Sequence, residues 1–334
     1  MTEHRLFDRY FISVVAVLTD DRDIAGAFVR ETAAVLAQHY ENYELVLVDN
    51  HSTDGTEQVV ADLLEREECV RYIRLSNRYD IEVAMCAGLE TVIGDIVISI
   101  EPQCDPADLI PRFVERTIES GGVVYGIRAR YDATLPMYYR VGKRVFHALS
   151  KMVFAVSPPR DAGFFMGLSR AALNALLQIK GKTKFLRVFG ARLGFGASSL
   201  AYDVRLRRDR MRGRTAAESV DYGLAVIFTN SPRPLRVVSW FGLLAALANL
   251  VYAGVVVALG VAQGGGAGAL FSTSLRTSAM FFLLFLMVSF FIEYVTRSGE
   301  NTREGPLYHV DVERTSNVMI RNEQAKTNVC DSAQ

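Results

Sequence analysis

The segment after the second apolar run of the sequence carries polar residues that suit nucleotide binding. It reads Asp49-Asn50-His51-Ser52-Thr53-Asp54-Gly55-Thr56 and directly follows ELVLV. A carboxylate at the end of a strand can accept hydrogen bonds from the N–H group of a nucleobase or from a ribose hydroxyl. Asp54-Gly55-Thr56 is also typical of a turn that begins a helix, so an ordinary turn is the alternative interpretation.

The elements around this segment alternate between strands and helices. Four apolar runs predict buried strands, at 11–18, 44–49, 70–76 and 95–100. The patterns between them predict three helices, over 20–38, 56–66 and 82–92. Such alternation indicates a parallel sheet, in which ligands bind beyond the carboxyl ends of the strands. We therefore expect functional residues in the loops that follow Leu18, Val48, Leu75 and Ile100.

The composition excludes several classes of protein. The 334 residues include 37 Lys plus Arg and 37 Asp plus Glu, so the formal net charge is zero and no nucleic-acid partner is expected. Hydrophobic residues make up 50% and charged residues 22%, which excludes wholesale disorder. The 4 cysteines form no Cys-x-x-Cys pair, so neither a disulfide framework nor a zinc ribbon is predicted.

Two apolar segments near the C-terminus predict a membrane hairpin. No charged residue lies between Val237 and Leu275, nor between Thr277 and Ile292. Each segment is long enough to span a bilayer as a helix, and a buried helix pair is the alternative. Arginines flank both segments while the loop between them is uncharged, so the positive-inside rule places both flanks in the cytoplasm. The predicted parts are a cytoplasmic domain, a hairpin and a cytoplasmic tail, over 1–236, 237–296 and 297–334.

A further segment, over 138–154, predicts an amphipathic helix. Its apolar residues recur at helical spacing, at Val141, Val145, Leu149 and Met152, while most of its basic residues fall elsewhere. This pattern is typical of a helix that lies on a membrane surface. A helix packed on the sheet of its own domain is the alternative.

The order and spacing of several motifs resemble glycosyltransferase family 2. VVAVLTDD is followed by VDNHSTDGT, LSNR, AGLETVIGD and CDPADLI. Further motifs, DAGFFM, FLRVFGARLGF, SPRPLR and GPLYHV, extend the resemblance over about residues 11–310. They are similar to the branch with dolichyl-phosphate mannose synthases and bacterial polyprenyl-phosphate glycosyltransferases, whose members carry a C-terminal membrane hairpin.

The resemblance implies a GT-A fold, a Rossmann-like α/β domain that binds a nucleotide-sugar at its strand ends. The implied reaction moves a sugar, with inversion, to a polyprenyl phosphate at the cytoplasmic face of the inner membrane, for cell-envelope glycans. A second copy of the chain is a further candidate partner. The implied contacts of the nucleotide-sugar are Thr19, Asp20, Asp49, Asn50, Arg78 and Gln103.

The first departure from the family pattern concerns the metal. The family has Asp-x-Asp followed by Leu-Gln-Asp-Pro, whereas this chain reads Ile100-Glu101-Pro102-Gln103-Cys104-Asp105-Pro106. Without a gap, Ile100 and Pro102 take the Asp positions, and neither side chain can bind a metal. With a slip of one residue, Glu101 takes the first position and Asp105 remains nearby. Two alternatives follow. Either Glu101 and Asp105, with the donor pyrophosphate, hold Mg²⁺ or Mn²⁺, or no metal binds.

The second departure lies in DAGFFM, where the branch has Asp-x-Gly-Asp-Phe-Arg. Asp161 is kept and is a candidate catalytic residue, whereas Phe164 replaces the usual base and Met166 replaces the Arg. A phosphate monoester is already an anion near neutral pH. Its use as an acceptor therefore depends more on positioning and charge neutralisation than on a general base.

The third departure lies in RMRGRTAAE, where the branch has Arg-x-x-Gly-x-Ser-Lys. Arg210 is kept and is predicted to lie nearest the phosphates, while Ala216 replaces the Lys. Four neighbouring arginines can recognise phosphate bidentately and replace that Lys, or they form a flank that lies against anionic lipid. They are Arg207, Arg208, Arg212 and Arg214. Because all three departures fall at chemical positions, the alternative function is a non-catalytic relative that binds a nucleotide-sugar or lipid phosphate.

Overall fold

The computed structural model describes residues 9–129, 162–178, 195–208, 267–302 and 307–318, with single residues at 186, 242, 244, 247, 251 and 255. The chain divides into two compact units. Every strand of the described residues belongs to the first unit, and the long helix over 267–302 belongs to the second.

The described strands of the first unit form one mixed sheet. They are β1 (Ile12–Leu18), β2 (Tyr43–Asp49), β3 (Val70–Leu75), β4 (Ile96–Ile100), β5 (Val123–Ala129), β6 (Ala162–Ser169), β7 (Ala197–Asp203) and β8 (Val310–Thr315). Their order across the sheet is β7-β5-β6-β4-β1-β2-β3-β8. The first four strands are parallel, as predicted, whereas β6 and β8 pair antiparallel with their neighbours. The sheet fits the GT-A-like α/β fold that the resemblance implies.

The first three helices of the first unit agree with the predicted ones to within a few residues, and two further helices were not predicted. They are α1 (Arg22–His39), α2 (Thr56–Leu64), α3 (Ile81–Thr91), α4 (Ile110–Ser120) and α5 (Arg170–Leu177). A 3₁₀ turn over Ala107–Leu109 leads into α4. The long helix of the second unit is α6 (Ala267–Thr302).

Buried side chains cover both faces of the sheet. Successive residues of a strand point to opposite faces, so β1 places Val14 and Ala16 in one hydrophobic cluster and Val15 and Val17 in the other. The first cluster includes side chains of α1, α2 and α4, and the second includes side chains of α3 and α5. A strand that is buried on both faces favours apolar residues on both, which explains the mostly apolar run from 11 to 18. The polar exception, Ser13, is buried and donates to the Glu44 carboxylate at 2.6 Å.

The strand β8 lies within the segment over 297–334 that was predicted as a cytoplasmic tail. β8 pairs antiparallel with β3, and the N–H of Cys69 donates to the carbonyl of Val318 at 2.6 Å. The N–H of Val70 donates to Oγ of Ser316 at 3.1 Å. β8 thus pairs with backbone groups that β3 would otherwise present at an open edge of the sheet. Pairing between such distant segments has no local sequence signal.

The predicted membrane segments fall in the second unit and in undescribed residues. α6 contains 36 residues and includes exposed apolar side chains, among them Met280, Phe282, Phe285 and Ile292. Within the part of the chain that the structure describes, no helix combines the length and apolarity that a membrane crossing requires. Most of the first predicted span and the amphipathic helix over 138–154 lie outside the described residues.

Candidate active site at the carboxyl ends of β1, β2 and β4

The loop after β1 is held tightly against the loop after β2. The N–H of Asp20 donates to Oγ of Ser52 at 2.9 Å, and the N–H of Asp21 donates to Oγ1 of Thr56 at 3.0 Å. Asp20 has a φ of +47°, in the left-handed region that few residues other than glycine adopt. Within the loop, the N–H of Thr19 donates to Oδ2 of Asp21 at 2.8 Å. Cross-loop hydrogen bonds therefore hold a backbone conformation that is otherwise unfavourable.

Two of the predicted nucleotide-sugar contacts, Asp20 in the loop after β1 and Arg78 in the loop after β3, lie beside each other. Oδ2 of Asp20 accepts a hydrogen bond from the Arg78 guanidinium at 3.0 Å, and its Oδ1 accepts one from the N–H of Thr53 at 2.9 Å. The Arg78 side chain is 49% exposed, whereas that of Asp20 is 14% exposed. Arg78 is therefore the more accessible of the two groups and could reach a phosphate or a ribose.

Asp49, the first predicted base contact, is fully buried beneath the loop. Its Oδ2 accepts a hydrogen bond from the Tyr72 hydroxyl at 2.6 Å, and its Oδ1 accepts one from the N–H of Ser52 at 2.8 Å. A carboxylate offers about four acceptor positions, so Asp49 can accept a third hydrogen bond in addition to these two. The contacts give Asp49 a role in shaping the loop, while its contact with a nucleobase stays a prediction.

Asn50 joins the β2 loop to the loop after β3. Its side-chain amide donates to the carbonyl of Tyr79 and accepts from the N–H of the same residue, both at 2.8 Å. Its own N–H donates to the carbonyl of Leu18 at 2.9 Å. These contacts place Asn50, as predicted, where the carboxyl ends of β1, β2 and β3 meet, and it fixes the spacing of three loops.

The predicted turn at Asp54-Gly55-Thr56 is confirmed. Gly55 has a φ of +93°, and α2 begins at Thr56. The Asp54 carboxylate accepts hydrogen bonds from the backbone N–H groups of Thr56 and Arg22, each at 3.0 Å. Burial acts to raise the pKa of Asp54, but the hydrogen bonds from Thr56 and Arg22 outweigh it and hold that pKa below its ordinary value. Asp54 thus anchors the starts of both α1 and α2.

Asp21 is a central residue of the site that the sequence analysis missed. Its side chain is buried, and its Oδ1 accepts hydrogen bonds from Nε2 of Gln103 at 3.2 Å and from the Arg208 guanidinium at 2.8 Å. Gln103, a predicted nucleotide-sugar contact, therefore lies at the meeting point of the loops after β1 and β4. The available signal was a second acidic residue, directly after Asp20, at a strand end.

Arg208 binds the acidic start of α1 from the segment after β7. Its Nε donates to Oδ2 of Asp23 at 2.7 Å, and its Nη2 donates to the carbonyl of Asp20 at 2.9 Å and to Oδ1 of Asp23. Its hydrogen bond to Asp23 is the main reason that the pKa of that carboxyl lies below its ordinary value. Arg208 is one of the arginines that the sequence analysis offered as phosphate ligands, and in this structure its single positive charge is shared between Asp21 and Asp23.

Arg207 fixes the loop after β4 to α1. Its Nη1 donates to the carbonyls of Pro102 and Asp105 at 2.8 and 2.9 Å, and its Nη2 lies 2.8 Å from Glu31. The guanidinium carbon also lies 5.3 Å from the centre of the Phe28 ring. With these contacts and 9% side-chain exposure, Arg207 positions the loop.

The two predicted metal ligands lie together after β4. One ligand atom from each of Glu101, Cys104 and Asp105 falls within 4.8 Å of the others. Asp105 is fully buried, and it accepts from the N–H of Glu101 at 2.9 Å and from the Tyr202 hydroxyl at 2.6 Å. Burial raises the pKa of Asp105 and that of the Cys104 thiol. The Cys104 thiol is buried and donates to Oδ1 of Asp105 at 3.3 Å.

Arg128, at the end of β5, lies between the two carboxylates and was not found by sequence analysis. Its Nη2 lies 2.5 Å from Oε2 of Glu101 and 3.5 Å from Oδ1 of Asp105, and its Nε donates to the Tyr202 hydroxyl at 3.3 Å. Burial acts to lower the pKa of Arg128, but the charges of Glu101 and Asp105 outweigh it and raise that pKa. The sequence analysis predicted no strand over 123–129, so nothing in it placed Arg128 near the loop after β4.

These contacts do not fit a metal centre in which both carboxylates bind the ion. Each oxygen of Asp105 already accepts a hydrogen bond, and Oε2 of Glu101 is paired with Arg128. The raised pKa of Cys104 favours the neutral thiol, whereas a metal binds the thiolate. The Arg128 guanidinium thus lies beside Glu101 and Asp105, the two residues that were predicted to bind Mg²⁺ or Mn²⁺.

The residues of the second departure lie in β6, next to this cluster. The carbonyl of Phe164 accepts from Oγ of Ser99 at 2.6 Å, and the Met166 side chain is buried in the core. A Cβ added to Gly163 would lie 2.8–2.9 Å from the Arg128 guanidinium, so the glycine permits the close approach of that group. The two predicted catalytic residues, Asp161 and Arg210, lie outside the described residues.

Comparisons with known proteins agree with the resemblance. Residues 25–177 match the family model described as "Glycosyl transferase family 2". A glycosyltransferase of Synechocystis sp. is 26% identical over 309 residues, covering 90% of this chain and 94% of the relative. The undecaprenyl-phosphate 4-deoxy-4-formamido-L-arabinose transferase of Serratia proteamaculans is 24% identical, covering 90% of this chain and 92% of that protein.

Among solved structures, glucosyl-3-phosphoglycerate synthase from Mycobacterium tuberculosis, in complex with Mn²⁺, UDP and phosphoglyceric acid, is similar to this chain. The two are 18% identical with a TM-score of 0.45, and the match covers 66% of this chain and 77% of that one. The family match and the curated relatives identify the chain as a glycosyltransferase, and its similarity to the family 2 model covers residues 25–177.

Proposed function

We propose that this protein transfers a sugar, with inversion, from a nucleotide-sugar to a polyprenyl phosphate during the synthesis or modification of cell-envelope glycans. The observation that carries the proposal is the meeting of the segments after β1, β2, β4 and β7 at Asp21, which contacts Thr56, Gln103 and Arg208. Ligands of open α/β sheets bind at such carboxyl ends. The relatives named as undecaprenyl-phosphate transferases, which align with 90% of this chain, support the choice of acceptor.

The donor would lie over the loops after β1, β2 and β4. Half-exposed Arg78 and partly exposed Gln103 supply donors for phosphate or ribose oxygens. Asp49 and Asn50 lie beneath these groups, where they hold the loops that would receive the base. Of the predicted residues, Arg78 and Gln103 would therefore touch the donor. Asp49 and Asn50 would position the loops.

The reaction needs few proton transfers. An oxygen of the acceptor phosphate would form a bond to the anomeric carbon of the sugar, and the bond from that carbon to the donor phosphate would break. The nucleoside diphosphate would leave with the bonding electrons and the added negative charge. Because the acceptor is already an anion, positive charge and alignment matter more than a base, which accommodates Phe164 at the usual base position.

We also propose that the protein is anchored in the inner membrane with its α/β domain in the cytoplasm. The uncharged stretches over 237–275 and 277–292 support this anchor, as do the exposed apolar side chains of α6. The arginines that flank the stretches support the orientation. Such an anchor would hold the domain close to a lipid acceptor. A divalent ion stays a prediction, since the contacts of Arg128 offer another source of positive charge.

Purified full-length protein in detergent tests the proposal when it is given undecaprenyl phosphate and a panel of nucleotide-sugars. A new glycolipid that retains the phosphate charge, formed with one of the donors, is expected. The variant Arg116→Ala, at an exposed arginine of α4 paired with Glu119, is a matched control that should keep the activity. If a donor binds tightly but no glycolipid forms, the protein is the non-catalytic binding relative instead.

A further inference from the structure

We propose that Arg128 is a resident cation of this protein, which holds the positive charge that a divalent ion would otherwise bring to Glu101 and Asp105. The protein would therefore bind no divalent ion at this cluster and would transfer sugar without one. Transfer without a divalent ion rests on the proposed function, whereas the absence of ion binding concerns only the cluster of Arg128, Glu101 and Asp105. Arg128 acts here as a positioning residue, through the two carboxylates.

The contacts of the guanidinium support a fixed position. Its Nη2 lies 2.5 Å from Glu101 and 3.5 Å from Asp105, and its Nε lies 3.3 Å from the Tyr202 hydroxyl. The Arg128 side chain is 10% exposed. Tyr202 in turn donates to Asp105 at 2.6 Å, so the three polar side chains close a network around the guanidinium. A buried arginine with this many partners is held in place.

The backbone of β6 is shaped to receive the same group. At Gly163 a Cβ would lie 2.8–2.9 Å from three atoms of the Arg128 guanidinium, closer than real Cβ contacts allow. The neighbouring strand thus leaves room for the cation at a position where any other residue would push it away. This observation is independent of the contacts with the carboxylates.

Electrostatics excludes a divalent ion from the occupied position. Two positive groups a few ångströms apart repel each other strongly in a buried environment. The donor atoms are also committed, because Asp105 accepts from Tyr202 and from the N–H of Glu101. Pro102, which stands at a metal-binding position of the family pattern, offers no side-chain ligand. All of these features favour a guanidinium over a metal.

The functional consequence is a cluster beside the donor site whose negative charge is partly neutralised. Two carboxylates without a cation would repel the pyrophosphate of a nucleotide-sugar. Gln103 lies two residues from each of them and contacts Asp21, which is itself paired with Arg208. Arginines thus accompany the acidic groups at the ends of both β1 and β4, so the protein carries its own counterions.

Binding of Mn²⁺ tests the inference without measuring catalysis. The electron paramagnetic resonance signal of free Mn²⁺ is followed as purified full-length protein is added to the ion alone. Wild-type protein and Glu101→Gln should bind Mn²⁺ equally, because Glu101 is not expected to hold the ion. If wild-type protein binds Mn²⁺ and Glu101→Gln abolishes that binding, Arg128 does not replace the ion and the inference is wrong.

Thermal unfolding of a double-mutant cycle provides the second test. Arg128→Met should lower the melting temperature, because it leaves two carboxylates without their cation, and adding Glu101→Gln should restore part of the loss. Arg128→Lys should stay closer to wild type, since it keeps the charge. Arg116→Met, at an exposed arginine, is the matched control. A melting temperature of Arg128→Met equal to that of the control would overturn the inference.

Sugar transfer with and without a chelator separates this inference from the proposed function. Initial rates should be unchanged by EDTA, whereas Arg128→Met should transfer about ten- to a hundredfold more slowly, as expected for loss of a charge-assisted contact. Loss of transfer on chelation, restored by Mg²⁺ or Mn²⁺, would contradict the inference. If no donor supports transfer while the Mn²⁺ test excludes binding, the proposed function fails and the cation assignment stands.

Discussion

Arg208 and Asp21 are 187 residues apart in the sequence, yet Nη1 of Arg208 lies 2.8 Å from Oδ1 of Asp21. The bond joins the segment after β7, an edge strand of the sheet, to the loop after β1 near its centre. The Asp21 side chain is 2% exposed and that of Arg208 is 22% exposed, so the pair is partly shielded from water. Screening by salt is therefore weaker than for an exposed pair.

Replacing Arg208 by Met should weaken both folding and donor binding. The variant removes the partner of a buried carboxylate, which costs about 1.5–3 kcal/mol for a hydrogen bond to a charged group. Chemical denaturation and calorimetric titration with a nucleotide-sugar measure the two effects. Arg205→Met is the matched control, because that side chain is 62% exposed and its ion pairs are long. Identical results for the two variants would show that the Arg208 pair has no role in the site.

Replacing Asp49 by Ala should reduce both stability and nucleotide affinity. The loss of affinity should be about 1–3 kcal/mol, the cost of losing a buried hydrogen-bond partner. Tyr72→Phe is the control, because it removes the donor to Oδ2 but leaves the carboxylate in place. It should cost about 1 kcal/mol of stability and leave the affinity near wild type. If Asp49→Ala folds and binds nucleotide normally, the predicted base contact is wrong.

A chain that ends before Leu307 should be less stable and should associate more readily. It loses β8 and exposes the edge of β3, which presents unpaired backbone groups to other chains. It also loses the hydrogen bond from the His309 N–H to the Tyr79 hydroxyl. Because Tyr79 also bonds the side chain of Asn50, a predicted nucleotide contact, nucleotide affinity should fall. Melting temperature and light scattering measure the first two effects. A chain that ends after Val318 keeps all the described contacts of β8 and should behave as full length.

The predicted orientation of the membrane anchor can be checked by labelling intact cells. In the variant Ser272→Cys, an impermeant thiol reagent should react at position 272, because the uncharged loop over 262–275 is expected outside the membrane. The natural Cys330 should react only after the cells are opened. The double variant with Cys330→Ser shows which thiol carries the label. Labelling of Cys330 alone in intact cells would reverse the proposed topology.

Local sequence patterns were sufficient for the first half of the sheet. The runs that predict β1 to β4 are mostly apolar because side chains on both faces of these strands are largely buried. The turn at Asp54-Gly55-Thr56 depends on neighbouring residues alone. The same information placed Asp20, Asn50 and Gln103 at strand ends. A resemblance in motif order then supplied the expectation of sugar transfer, which the comparisons support.

Only the tertiary structure decided which charges meet. Arg128 reaches Glu101 and Asp105 because β5 and β4 both pair with β6, and Arg208 reaches Asp21 because the chain after β7 runs past the start of α1. β8 joins β3 across more than 200 residues of intervening chain. No local pattern encodes such pairings, since the free energy of a salt bridge or an added strand depends on a partner that the fold brings close.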